Sequence, residues 1–308
     1  MSRPACAGGA LKGVHPLSDR QDSVAAMRLL KAIAVTHVYN QRAQALSVGV
    51  SIAVAVAGLV TGLGSGYGAA VALIGALWAA VYKAVMAPWA ERYLRMAATL
   101  QEMFDADLLG LPWNHVAVGH RIGDDEVSRL SRRFRGDERR LRGYYLVANA
   151  APPYDVLFCL DQNLAWGSRI RLRFAQMMLG VLGLWSIAGV VFTLATGATV
   201  SRLVTGWFVP SLGLLLLCLE MYRTQMASTA ERLRVLGLVR AAIDDPSSPV
   251  IATPAALTLF VRQVQDTLYH MRRLQPRLPT WFFQRYHDQD KADFQVRMQL
   301  LEARFPRS

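Results

Sequence analysis

The chain has 308 residues, a hydrophobic fraction of 53% and a formal net charge of +12. The apolar residues are gathered into a few long runs, which excludes one large soluble core and points to a membrane class. The three cysteines, Cys6, Cys159 and Cys218, have no paired spacing, so a disulfide scaffold is not expected.

Residues 1–22, with Gly8, Gly9, Gly13, Pro4 and Pro16, read as a disordered tail. Residues 23–42 carry Ala26, Leu29, Leu30, Ile33 and His37 at helical spacing and predict a cytosolic amphipathic helix. A first membrane hairpin is expected over 43–86, from the apolar runs Leu46 to Leu63 and Tyr67 to Met86, joined by the uncharged Gly62 to Gly68 turn. Residues 87–176 then form a mixed-charge cytosolic region. A second hairpin is expected over 177–221, from Met177 to Ala195 and Val204 to Leu219, and its joint carries only Arg202. Residues 222–308 return to a cytosolic helical region. Each run is long enough, at ~1.5 Å per residue, to approach the ~30 Å thickness of a hydrocarbon core.

Charge orients these elements. Lys and Arg number 6 in residues 1–42, 13 in 87–176 and 13 in 222–308, leaving Lys83 and Arg202 elsewhere. Basic flanks remain cytoplasmic when helices insert, so both termini and the middle region are placed in the cytosol. The fold class that follows is an all-α membrane protein with four transmembrane helices in two hairpins and a helical cytosolic domain. No cleavable leader is expected, because the first apolar run starts too late. Most of the positive excess is topological: residues 87–176 hold 13 basic and 11 acidic groups, so no DNA or RNA polymer is implied as a partner. Arg129 to Arg142 reads as one charged helix, either a solvated face or a phosphate-attracting surface.

Catalytic constellations are missing. There is no His-Glu-x-x-His, no phosphate loop ending in Gly-Lys-Ser/Thr, no Cys-x-x-Cys and no Gly-x-Ser-x-Gly, so an enzyme is not expected. No cofactor or metal is expected either; the Asp288, Asp290 and Asp293 group would fan around a helix. Ionisable groups are nearly absent from the spans, which argues against a proton or ion transporter. The spans do offer small residues, with Ser47, Ser51 and Ala55 at four-residue intervals and Gly58 and Gly62 as a Gly-x-x-x-Gly pair. Such stripes suit packing within the bundle, or an intersubunit or pore-lining face.

Three cytosolic motifs mix aromatics, amides and charge. The first runs from Gln101-Glu102-Met103-Phe104-Asp105 to Leu111-Pro112-Trp113-Asn114. The second is Tyr144-Tyr145 followed by Cys159-Leu160-Asp161-Gln162-Asn163-Leu164-Ala165-Trp166 and Arg171. The third is Gln265-Asp266-x-x-Tyr269-x-x-Arg272, followed by Pro279-x-Trp281-Phe282. This chemistry suits stacking on a base and hydrogen bonding to its edges or to phosphate. It also suits a polar domain core, where buried amides and Asp satisfy helix ends, and on the residues alone that is the favoured reading. The candidate ligand-binding residues are Asp105, Trp113, Asn114, Gln162, Asn163, Trp166, Arg171, Gln265, Asp266 and Arg272.

In this order and spacing, around two hairpins, the motifs resemble the SMODS-associating four-transmembrane effectors of CBASS-type bacterial anti-phage systems, over roughly residues 25–300. The chain departs from that pattern at Asp161, which stands where the family has Arg, at Gly167 in place of Asp, and at Thr280 in place of Asp. The resemblance implies a pore-forming suicide effector of the bacterial inner membrane. It would be activated by a cyclic nucleotide from a partner nucleotidyltransferase, assemble as a homo-oligomer in the lipid bilayer, and kill the cell by abortive infection. A different class, a constitutive membrane scaffold whose cytosolic helices bind a protein partner, fits the same topology.

Overall fold

The computed structural model describes residues 17–62, 73–74, 77–78, 80–146, 150–275 and 277–305. Helix dominates them, and no strand forms among the described residues. A short α1 (Leu17–Gln21) precedes α2 (Val24–Gly62), which runs unbroken for 39 residues. The segment expected to be a tail therefore ends in structure: Gln21 is buried at 4% exposure, while residues 1–16 lie outside the described residues. The Gly62–Gly68 joint falls almost wholly outside them as well.

A π-helical turn (Tyr82–Met86) leads into α3 (Ala87–Leu109), with Pro88 in its first turn. Proline has no N–H to donate, and the wide turn just upstream absorbs the lost bond. Gly110 closes α3 in the left-handed region at φ 67°, where a glycine has no Cβ to clash. Two short helices follow, α4 (His115–Val118) and α5 (Asp124–Ser131), the latter with three acidic residues in its first turn where the helix dipole favours them. The expected single helix over Arg129 to Arg142 does not form. The chain leaves α5 at Arg132, bends, and makes one 3₁₀ turn over Glu138–Arg140, started by the Asp137 carboxylate accepting from the Arg139 N–H. Seven arginines in fourteen residues repel one another at helical spacing, and Gly136 offers no resistance to the bend.

α6 (Tyr154–Thr196) is 43 residues long, or ~65 Å at ~1.5 Å per residue, about twice the thickness of a hydrocarbon core. Gly197 caps it at φ 62°. Then come α7 (Val200–Leu203), a second π-turn (Val204–Phe208) and α8 (Val209–Asp244), again with a proline in its first turn. α9 (Pro254–Leu274) starts from the Thr253 cap, and α10 (Thr280–Arg304) ends the described chain.

Antiparallel pairing sets the architecture. α6 and α8 share the most extensive contact, in a register running from Trp185 over Trp207 through Arg171–Gln225 to Asp161–Arg240. α2 pairs with α3 through Asn40 donating to the Ala90 carbonyl and Tyr39 against Tyr93. Below these pairs one apolar core joins Leu30 and Ile33 of α2, Phe104 of α3, Phe158 and Leu164 of α6, Val239 of α8 and Leu268 of α9.

The upper halves differ. In α6 the most apolar 18-residue window has a mean hydropathy of 2.1 yet is only 11% buried. Leu184, Ile187 and Leu194 stand 70%, 62% and 77% exposed. A core helix of a soluble protein would hide such residues, so this length is built for an apolar solvent. Among the described residues α6 is the one helix that meets both length and hydropathy requirements for crossing a bilayer.

Candidate functional site

The three motifs converge in two buried polar networks. In the first, the fully buried Asp105 carboxylate accepts from Arg272 Nη1 at 2.7 Å, the Tyr145 hydroxyl at 2.9 Å and Gln101 Nε2 at 3.3 Å. Asn163 Nδ2 donates to the same Tyr145 oxygen at 3.1 Å. One residue of each motif, on α3, α6 and α9, thus meets at a single phenol–carboxylate pair. Two amides hold the Tyr144–Leu146 backbone in place. Gln162 accepts from Leu146 N and donates to the Tyr144 carbonyl, while Gln21 makes the corresponding pair of bonds with Tyr145 N and O.

In the second network, Arg262 of α9 bridges Glu102 and Asp266 and also donates to the Pro112 carbonyl. Asn114 donates to Asp266 at 2.9 Å while its own oxygen caps α4 by accepting from Val116 N and Ala117 N. Burial lifts the Glu102 carboxyl from its ordinary 4.5 to about 7, with Arg262 acting in the opposite direction. Trp113 donates its indole N–H to the Gly119 carbonyl and stacks under Arg121. Trp166 lies 5.3 Å from Phe294, nearly parallel, and serves the α6–α10 contact. Gln265 is fully buried, and neither of its amide atoms has a partner.

A different feature lies at the root of the long helices. Arg171 of α6 and Arg232 of α8 are buried, at 9% and 4% exposure, and neither forms an ion pair among the described residues. Arg171 Nη1 donates to Gln225 Oε1, at 2.6 Å, and Arg232 Nε has no partner among the described residues. Arg272 and Arg277 lie close enough to join the same field. Burial, then Arg277 and Arg272, pull the Arg171 guanidinium down to about 10. Burial, then Arg171 and Arg272, lower Arg232 further. His37 of α2 is lowered by burial and by Arg277, Arg272 and Arg171 in that order, so it is neutral at pH 7, and its Nδ1 has no partner. Ser228 Oγ and Asn40 Oδ1 are buried and unpartnered on the same helices. Tyr144, whose phenol is raised by burial and by Asp105, stays 38% exposed within reach of Arg272, Arg277 and Arg232.

Against these four guanidiniums the first network supplies one carboxylate, Asp105, already bound to Arg272. Arg277 is exposed and Arg272 is paired, so the buried charge that lacks a counter-charge among the described residues is that of Arg171 and Arg232, and such burial is costly. Gly167 makes room for Arg232. A Cβ there would lie 2.6 Å from Arg232 Nη1, so the bare glycine is what lets that guanidinium lie against α6. Asp161, by contrast, is fully neutralised by Arg240 at 2.8 Å and Arg297 at 3.1 Å, and pins α6 to α8 and α10. Asp290 is likewise held by Arg173 and Arg169, and no group of residues able to hold a metal occurs among the described residues.

Of the residues expected from sequence, Asp105, Asn163 and Arg272 come together in one network, Asn114 and Asp266 in the other, and Arg171 lies in the basic patch. Gln162 holds backbone, and Trp113, Trp166 and Gln265 serve local packing. Among the small residues of α2, Ser47 is buried and Ser51 half-buried, while the surroundings of Ala55, Gly58 and Gly62 lie outside the described residues. Sequence reasoning did not single out Arg232, Arg277, His37 or Gln225. A signal for two of them existed: Gln225, Ser228 and Arg232 occupy the same helical stripe as the buried Val235, Val239 and Ile243, so polar groups fill core positions.

An exposed apolar helix surface rising from a buried polar helical core defines a helical membrane protein with a substantial non-membrane domain. The chain belongs to the SMODS-associating 4TM effector domain family, whose model matches residues 15–301. It is also similar to a Bacillus cereus (strain VD146) protein named a probable CBASS effector molecule, at 23% identity over 212 residues covering 68% of this chain and 70% of that protein. No solved structure matches.

Proposed function

We propose that this protein is the membrane-disrupting effector of a CBASS anti-phage system, switched on when a cyclic oligonucleotide enters the basic patch formed by Arg171, Arg232, Arg272 and Arg277. The observation that carries this reading is the pair of buried guanidiniums, Arg171 and Arg232, with no carboxylate partner among the described residues, beside the 38% exposed Tyr144. A cyclic oligonucleotide brings at least two phosphates to meet the guanidiniums and bases to stack on Tyr144. The family and the named relative support the effector role. The patch touches α2, α6 and α8 where each heads for the membrane, so a ligand there bears on three spans at once. Activation needs only that the ligand bind the open arrangement more tightly than the resting one.

In this reading four spans form two hairpins in the inner membrane with both termini cytosolic, and several copies combine to make the lesion, because one set of four spans with almost no ionisable groups encloses no aqueous path. The nucleotide comes from a partner nucleotidyltransferase, and membrane failure ends the infection along with the cell.

Equilibrium binding of a panel of cyclic di- and trinucleotides to the detergent-solubilised full chain tests the reading. At least one should bind, and Arg232→Gln should weaken it by about 2 kcal/mol, roughly thirtyfold, the loss of a charge-assisted hydrogen bond. If no member of the panel binds, the protein is better described as a scaffold.

A further inference from the structure

The arginine-rich bend after α5 has no role in the networks above, and it reaches α2 at Tyr39, shortly before the first apolar run. Arg133 Nη1 donates to the Tyr39 hydroxyl at 3.2 Å. The Tyr39 ring lies 5.2 Å from Tyr93, which meets Trp89 edge-on at 5.0 Å. Trp89 is 41% exposed and stands three residues beyond Met86, at the end of the second apolar run. Tyr39 stands seven residues before Leu46, at the start of the first. At ~1.5 Å per residue these rings lie roughly 5–10 Å from the apolar zone, the depth at which Trp and Tyr collect at membrane interfaces.

Around the rings the exposed charge is mostly of one sign. Arg132, Arg133 and Arg135 of the bend, Arg42 of α2 and Arg92 of α3 are all exposed. The carboxylates nearest the bend in sequence are engaged elsewhere: Glu126 holds Arg129, Glu138 holds Lys31, and Asp137 caps the 3₁₀ turn. Glu91 is the one acidic residue on this stretch of α3. Arg132 and Arg135 form no ion pair among the described residues. Planar guanidiniums present a two-pronged donor that matches a phosphate, and they do so here beside rings that sit in the headgroup zone.

We infer that Arg132, Arg133 and Arg135, with Tyr39 and Trp89, form a docking surface for the headgroups of acidic phospholipids. The surface is separate from the basic patch at the root of the helices: it is exposed, it faces the membrane plane, and it holds the α5 segment against the lower half of α2. The inference rests on the reading that α2 and α3 adjoin the bilayer. Each arginine close to an acidic leaflet should raise lipid occupancy roughly fivefold.

The test reconstitutes the full chain in nanodiscs of equal parts phosphatidylcholine and phosphatidylglycerol, then reads the lipids retained on the ejected protein by native mass spectrometry. Wild type should be enriched severalfold in phosphatidylglycerol. The R132Q/R135Q variant, which removes two exposed side chains with no ion pair among the described residues, should fall towards the bilayer ratio. R139Q/R142Q, at and after the 3₁₀ turn that Glu138 ties to Lys31, eight residues before Tyr39 on α2, should keep the enrichment. Wild type without enrichment, or R132Q/R135Q with full enrichment, would overturn the inference while leaving the membrane reading intact. Failure of the wild type to enter nanodiscs at all would overturn both.

Discussion

Two arginines in this molecule are expected to respond to mutation with opposite signs. Arg272 neutralises the buried Asp105 at 2.7 Å. Arg272→Ala should leave that carboxylate stranded and cost about 3–5 kcal/mol, read as a fall in denaturation midpoint. Arg232 has no carboxylate to lose, and burial already works against its charge. Arg232→Met should therefore stabilise the ligand-free protein by on the order of 1 kcal/mol while removing nucleotide binding, a trade of stability for function. A drop in stability comparable to that of Arg272→Ala would mean that Arg232 is structural. Glu102 gives a pH signature. Its carboxyl is raised from 4.5 to about 7, so between those values the folded state holds a proton that the unfolded chain has released. Its contribution to stability is then greatest at low pH and is lost as pH rises through 7. Glu102→Gln should be more stable relative to wild type at pH 8 than at pH 5, and chemical denaturation at the two values checks this.

At the scale of elements, the α6–α8 pair makes the most extensive helix contact and carries Arg171 and Arg232 between its helices. Gly167→Ala would place a methyl group 2.6 Å from Arg232 Nη1 and push the guanidinium aside. Since the displaced atoms end a flexible side chain, the expected result is weaker nucleotide binding with little change in thermal stability. The paired π-turns before Pro88 and the proline at the start of α8 mark where helices can bend. The existence of the helices was legible from apolar runs and helical spacing, because those patterns follow from local geometry. Their extent was not. The divisions drawn near residues 42 and 176 came from charge and hydropathy and say nothing of helix ends: α2 and α6 run straight through them, since an i to i+4 hydrogen bond is indifferent to whether water or lipid lies outside. The three motifs were legible as a group, but which residues face ligand and which face each other depends on contacts between positions such as Asp105 and Arg272, far apart in sequence. Arg232 was hidden for the same reason: only the fold shows that Arg171 comes near it and that no carboxylate does.

Taken whole, the molecule joins a polar, ion-paired helical domain to an apolar helix surface that no part of the described chain covers. The ion pairs of Asp161 and Asp290 fasten α10 to α6, whereas Arg171 and Arg232, between α6 and α8, have no carboxylate partner among the described residues. Under the proposed function, a ligand that supplies the missing negative charge would act on the contact between α6 and α8, and so bias one arrangement of these helices over another. The most direct measurement of this account is leakage from dye-loaded liposomes carrying the purified full chain. Adding the cyclic oligonucleotide that binds in solution should release dye from wild-type vesicles and not from Arg232→Met vesicles with equal protein incorporation. Release without nucleotide, or equal nucleotide-triggered release from both, would contradict it.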